Sequence, residues 1–158
     1  MIPFYVFIST TVILYFSDSL LKSKFRSLNH SISWAFTVMF MFTGITHFTN
    51  LKYDFLEMIP FEELRHLAVV YLAGFVEILA AILIRFNVSS KYTEIFLILF
   101  LVAVLPANIY ASLNNIPFAG SEPTNLFLRV AIQVTYILCL TFIIREEKNR
   151  ASRNDPTK

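Results

Sequence analysis

Runs of about twenty apolar residues, separated by short polar stretches, set the rhythm of this sequence. An apolar helix rises about 1.5 Å per residue, so about 20 residues are needed to cross the hydrocarbon of a bilayer. Four segments reach that length: Ile32–Asn50, Leu67–Phe86, Thr93–Leu113 and Asn125–Ile144. A fifth, Ile2–Tyr15, extends to Leu21 but is interrupted by Ser17, Asp18 and Ser19. No Lys or Arg precedes it and no small-residue cleavage site follows it, so it reads as an uncleaved, slightly short first span rather than a signal peptide. No Gly/Ser linker or charge block divides the chain. The expected architecture is all-α: one polytopic transmembrane helix bundle over residues 1–145, with a core from about 31 to 145. Residues 146–158 are polar, with Pro156 near the end, and are expected to form a disordered cytoplasmic tail.

Local signals fit these elements. Pro60 followed by Glu62 and Glu63 suits the first turn of a helix, where proline loses no hydrogen bond and acids meet the positive dipole end. Asn87, Ser89 and Ser90 form a short turn, which makes the flanking spans antiparallel neighbours. Trp34, Tyr53, Tyr92 and Tyr110 stand near span ends, as interfacial aromatics do.

Charge then sets the orientation. Five spans place Lys22, Lys24, Arg26, Arg85, Lys91, Arg145, Lys148, Arg150, Arg153 and Lys158 on one side. The other side holds Lys52 and Arg65, with Arg129 just inside a helix, together with Asp54, Glu57, Glu62, Glu63 and Glu122. The basic excess marks the cytoplasmic side. The expected protein therefore sits in a plasma membrane with its N-terminus outside and its C-terminus in the cytoplasm.

Composition supports the same class and excludes others. Hydrophobic residues make up 56% of the chain and charged residues 15%, against about 25% charged in a typical soluble domain. A formal charge of +2 and the lack of a basic stretch with interleaved aromatics give no footprint for nucleic acid. The single cysteine, Cys139, rules out an internal disulfide or a CxxC motif, and three histidines leave little for a metal site, so none is expected.

The informative residues are the polar ones inside apolar spans. A charged group at the bilayer centre costs about 2.5–3.5 kcal/mol on insertion scales, so it normally faces a partner or a cavity. His47, Glu77, Asn108, Arg129 and Gln133 are such residues, and four helices supply them. Helical rise places Glu77 about 15 Å from the outer end of its span, and His47, Asn108 and Arg129 roughly 5–10 Å below the outer surface. Gln133 follows Arg129 at i+4, on the same face and one turn deeper. Gly44 and Gly74 each precede a polar residue by about a turn and permit close helix packing. Pro106 releases a backbone carbonyl just before Asn108 and allows a kink that opens a pocket on the outer side.

At these positions the sequence resembles the DoxX-like family of small bacterial membrane proteins. The matching pieces are Gly44-Ile-Thr-His47-Phe48, Met58-Ile-Pro60, Gly74-Phe-Val-Glu77-Ile78, Val104-Leu-Pro106-Ala-Asn108-Ile-Tyr110 and Arg129-Val-Ala-Ile-Gln133. They occur in the family's order over roughly residues 35–140. The resemblance implies a four-helix core, to which the first span is additional, in a bacterial inner membrane. It also implies a link to membrane redox chemistry, through subunits of quinone-reducing systems or proteins encoded beside oxidoreductases. The segment after Arg129 departs from the family in having Ala131 where a proline is expected.

Three functions follow as expectations. The first is a small-molecule or quinone-binding protein serving a redox partner, with Arg129 and Gln133 holding the charge of Glu77 or a ligand's polar end, and His47 and Asn108 lining the outer mouth. No intrinsic cofactor is expected, since the chain has no flavin or dinucleotide fingerprint and no thiol pair. The second is a non-catalytic assembly or structural subunit that holds another membrane protein through its helix faces. The third is a small transporter, which would need to form a homo-oligomer because no inverted repeat is visible.

Overall fold

The computed structural model describes residues 2–20, 28–87 and 91–153, which form six α-helices and one 3-10 turn. In chain order these are α1 (Ile2–Leu20), α2 (Leu28–Thr46), α3 (Lys52–Glu57), the 3-10 turn Glu62–Leu64, α4 (Leu67–Asn87), α5 (Lys91–Leu113) and α6 (Leu126–Arg153). Among the described residues, extended pairing is limited to one isolated bridge between Phe118 and Ser121. The basic residues Lys22, Lys24, Arg26 and Lys158, and the Ser89–Ser90 turn, lie outside the described residues.

Three helices contain stretches long and apolar enough to cross a membrane: Leu67–Phe86, Ile95–Leu113 and Leu126–Glu146. The five expected spans are thus met in part. The apolar stretch of α1, Ile2–Ser17, is shorter. The second expected span, Ile32–Asn50, shifts: α2 takes in Asn29, His30 and Ser31 at its start and ends at Thr46. Turn-type bonds from the Phe48 and Thr49 amides to the Ile45 and Thr46 carbonyls close that end. The polar start of α2 is tolerated because the helix faces protein. Asn29, Ser31, Ala35, Phe36, Met39 and Phe40 are all buried.

The core is built around α2, which packs most extensively against α4 and α1, while α5 pairs with α6. Phe7 of α1 inserts between α2 and α6, its ring centroid 4.8 Å from Phe36 and 5.3 Å from Tyr136. Between α2 and α4 the backbones nearly touch. A Cβ added at Gly44 would lie 2.9 Å from the Gly74 carbonyl oxygen, and one at Gly74 would lie 2.9 Å from the Gly44 carbonyl oxygen. Lipid competes for apolar side chains as well as protein does, so such close dispersion packing is what holds membrane helices together. At the far end, Arg85 stacks over Trp34 at 4.8 Å, and the Trp34 indole N–H donates to His30 Nε2 at 3.0 Å.

Two local expectations are corrected. Glu62 and Glu63 occupy the separate 3-10 turn instead of the first turn of a long helix, and α4 starts only at Leu67. The break falls at Arg65 (φ −77, ψ 66), whose guanidinium donates to the Ile59 carbonyl at 3.1 Å and the Tyr110 hydroxyl at 3.3 Å. At the C-terminus, α6 continues to Arg153, so residues 146–153 extend the helix instead of forming a disordered tail. Glu, Lys, Arg and Ala are strong helix formers and dominate that segment, which explains the continuation.

Candidate functional site

The C-terminal ends of α2 and α5 and the N-terminal ends of α4 and α6 surround a cavity of about 450 Å³. That volume lies within the range of about 300–1,000 Å³ typical of small-ligand pockets. Met39, Phe40, Phe100, Leu101 and Ile132 give it apolar walls, and Pro3 and Phe4 of α1 contribute one side. Phe55 and Met58 of the α2–α4 connection and Phe118 of the α5–α6 loop cover the end. The cover is pinned: the Ala119 amide donates to Asp54 Oδ2 at 2.8 Å, and the Phe55 and Phe118 rings meet edge-on at 4.9 Å. Lys52 adds a further tie, donating to the Tyr71 hydroxyl at 3.2 Å, and that bond raises the pKa of its ammonium group.

All five polar residues singled out in the sequence, His47, Glu77, Asn108, Arg129 and Gln133, line this cavity. They form three separate groups around it. His47 Nδ1 lies 2.9 Å from the Thr43 carbonyl oxygen and 3.7 Å from Glu77 Oε2. A carbonyl can only accept, so Nδ1 carries a proton. The imidazole stacks on Phe55 with centroids 3.8 Å apart, which fixes its plane under the cover. In the second group, Arg129 donates to Asn108 Oδ1 at 3.4 Å. In the third, buried Gln133 donates through Nε2 to the Leu101 carbonyl at 2.7 Å.

Of the two roles expected for Arg129 and Gln133, holding Glu77 or holding a ligand's polar end, their contacts here are instead with Asn108 and the Leu101 carbonyl. Among the described residues, the ion-pairing neighbour of Glu77 is His47. The reason is the glycine contact, which brings α2 so close to α4 that the His47 Cβ stands 2.6 Å from where a Gly74 Cβ would be. Gln133 instead meets the backbone of α5 five residues before Pro106, which is inside that helix and lines the cavity. Pro106 cannot donate to the Val102 carbonyl, so this stretch of α5 is the one where helical bonding is incomplete.

Six buried polar side-chain atoms among the described residues have no hydrogen-bond partner: His30 Nδ1, Ser31 Oγ and Arg65 Nε away from the cavity lining, and Glu77 Oε2, Arg129 Nε and the Tyr136 hydroxyl on residues that line it. Tyr136, 7% exposed, also lines the cavity and was not singled out in the sequence. Its signal was there: it follows Gln133 at i+3 and Arg129 at i+7, on one face of α6. Thr43, one turn before His47, was likewise passed over. Among the described residues, no group of three His, Cys, Asp or Glu side chains is placed to hold a metal ion.

Fold and site together define an all-helical protein with three helices long and apolar enough to cross a membrane and a ligand-sized, partly polar cavity at one end of the bundle. The chain belongs to the family described as a domain of unknown function, DUF8561, whose family model matches residues 36–143. No curated protein and no solved structure matches it. The matched segment holds all five polar residues, Tyr136 and both packing glycines, whereas α1 lies outside it. The match carries no activity with it, and the resemblance to DoxX-like proteins rests on the short motifs alone.

Proposed function

We propose that this chain binds a small, largely apolar molecule with a polar hydrogen-bonding end, of the quinone or quinol type, and serves a membrane redox partner. The observation that carries the reading is the set of unpartnered buried polar atoms, Glu77 Oε2, Arg129 Nε and the Tyr136 hydroxyl, on residues lining an otherwise apolar cavity. An unsatisfied buried polar group costs about 1–3 kcal/mol, more when charged, and a bound polar group offsets that cost. The donors and acceptors suit the class. The Arg129 guanidinium or the Tyr136 hydroxyl donates to a quinone carbonyl. The Glu77 carboxylate accepts from a quinol hydroxyl, with His47 beside it to take up or release a proton. The DoxX-like motifs support the redox setting. The electrons come from the partner, because the sequence supplies no flavin fingerprint or thiol pair of its own.

The basic excess in the sequence supports an orientation with the cavity toward the outer face of a bacterial inner membrane and the C-terminus in the cytoplasm. The space at Gly74 is filled by His47, Gly44 and Phe48 of the same chain, so a subunit that holds another protein would do so through other parts of its helix faces. The test is titration of purified protein with a substituted benzoquinone, with and without Glu77→Gln. Binding by the unaltered protein, weakened about tenfold in the variant, is expected for loss of one charge-assisted hydrogen bond. Equal binding by the variant removes Glu77 from the site, and no binding by the unaltered protein sinks the reading.

A further inference from the structure

The cavity is bounded by two seams that differ in how they are closed. One runs between α2 and α6. There α1 lies across it, with Phe7 wedged between Phe36 and Tyr136 and Phe4 6.5 Å from the Tyr136 ring. The other runs between α4 and α5. The end of α4 and the start of α5 lie away from the cavity, and the two helices make little contact with each other. Among the described residues, no helix lies across this seam as α1 lies across the first.

Side chains at the second seam are small. Ala73 lines the cavity from α4, and Ala103 and Ala107 line it from α5. Ala103 lines the cavity and is itself exposed. Both helices belong to the set long and apolar enough to cross a membrane, so the medium outside the seam is hydrocarbon. At the interior end, Tyr136 lines the cavity and its hydroxyl is buried without a hydrogen-bond partner.

We infer that the cavity opens sideways into the bilayer between α4 and α5, and that its ligand is a lipid-dissolved molecule whose hydrocarbon chain leaves through that opening. The inference rests on the reading of the cavity as a headgroup site and adds the ligand's physical class and route. Volume supports it: about 450 Å³ accommodates a substituted ring and the first part of a chain, at the lower end of the small-ligand range. A long chain has to leave the cavity. The end roofed by Phe55 and Phe118 is held by the Asp54–Ala119 bond, and Phe61, Leu64, Ser121 and Glu122 there are exposed and also line the cavity.

The experiment uses the full chain in lipid nanodiscs and two ligands with the same benzoquinone headgroup, one without a chain and one with a long isoprenoid chain. The variant Ala103→Trp fills the opening from its exposed side. The long-chain ligand is expected to lose about tenfold more affinity in the variant than the chainless one does. Loss of both alike, or of neither, overturns the opening at this seam and leaves the headgroup site standing. Failure of the unaltered protein to bind either ligand removes the headgroup site, and the opening with it. A second measurement needs no variant: a photoreactive group on the chain, next to the ring, should label peptides spanning Ala73 or Ala103. Labelling confined to Ile2–Phe7 would place the exit at the α1 side and overturn the inference.

Discussion

Replacing Gly74 with alanine adds one methyl group where α2 and α4 come closest. The new Cβ would lie 2.6 Å from the His47 Cβ, 2.9 Å from the Gly44 carbonyl oxygen and 3.0 Å from Phe48 Cε2. Ordinary contact begins at 3.4 Å, so the His47 backbone must retreat by about 0.8 Å. The first two neighbours are a Cβ and a backbone oxygen, which cannot rotate away, and only the Phe48 ring can yield. Overpacking costs about 1–3 kcal/mol, and this site belongs at the upper end because the obstacle is backbone. Alanine regains about 0.8–1.0 kcal/mol of helix preference over glycine. The expected net loss is about 1–2 kcal/mol. The assay is equilibrium unfolding in mixed micelles, with circular dichroism as the readout. Gly44→Ala meets the same contact from the other side, 2.8 Å from Ile78 Cγ1 and 2.9 Å from the Gly74 carbonyl oxygen. Once the helices have been forced apart by one methyl, the second costs less, so the double variant should lose less than the sum of the singles. A Gly74→Ala protein as stable as the parent would refute the close approach, and with it the reason His47 stands beside Glu77.

Two further outcomes test the cover and the first helix. Asp54→Ala removes the carboxylate that accepts the Ala119 amide at 2.8 Å, a charge-assisted bond worth about 1.5–3 kcal/mol at most and less at this partly wet position. Amide exchange over residues 116–121 should quicken about tenfold while exchange in α4 is unchanged, and an unaltered loop would show that the tie does not hold the cover. Phe7→Ala deletes the buried ring between Phe36 and Tyr136. Aromatic truncation costs about 3–5 kcal/mol in soluble cores, and about 3 kcal/mol is expected here because lipid can solvate the vacated surface. Exchange across α1 should rise first, and equal protection of α1 in the variant and the parent would show that Phe7 does not dock it.

The class of the fold and the membership of the cavity were legible in the sequence for different reasons. Apolar length announced α4, α5 and α6, because each must present itself to lipid over its whole height. The boundaries of α2 were not legible, because a helix enclosed by its neighbours escapes that demand and admits Asn29 and Ser31 into its buried face. His47, Glu77, Asn108, Arg129 and Gln133 stood out because ionisable and amide groups are expensive in hydrocarbon, and their convergence on one cavity follows from the same cost. Their pairing did not stand out. Which acid meets which base depends on the distance between helix axes, and that is set by Gly44 and Gly74 acting together across thirty residues. Tyr136 is marked only by its i+3 and i+7 spacing from Gln133 and Arg129, a weaker signal than an ionisable group in an apolar run.

Packing and chemistry are joined at one place in this molecule. The pair of glycines that brings α2 onto α4 also decides that the carboxyl of Glu77 looks toward an imidazole at 3.7 Å, a separation too long for a hydrogen bond. A tighter approach would turn the two into a closed ion pair with no capacity left for a third group. A wider one would leave each alone in an apolar wall. At the observed distance the Thr43 carbonyl holds one imidazole nitrogen, and Glu77 Oε2 is left buried without a hydrogen-bond partner. Across the same space, Arg129 spends one bond on Asn108 and has Nε without a partner, while Gln133 is held by the backbone of α5 and acts as a fixed strut. The cavity therefore presents an acceptor on one wall and a donor on another, each positioned by a neighbour that does not exhaust it. That arrangement is suited to a ligand able to accept at one atom and donate at another.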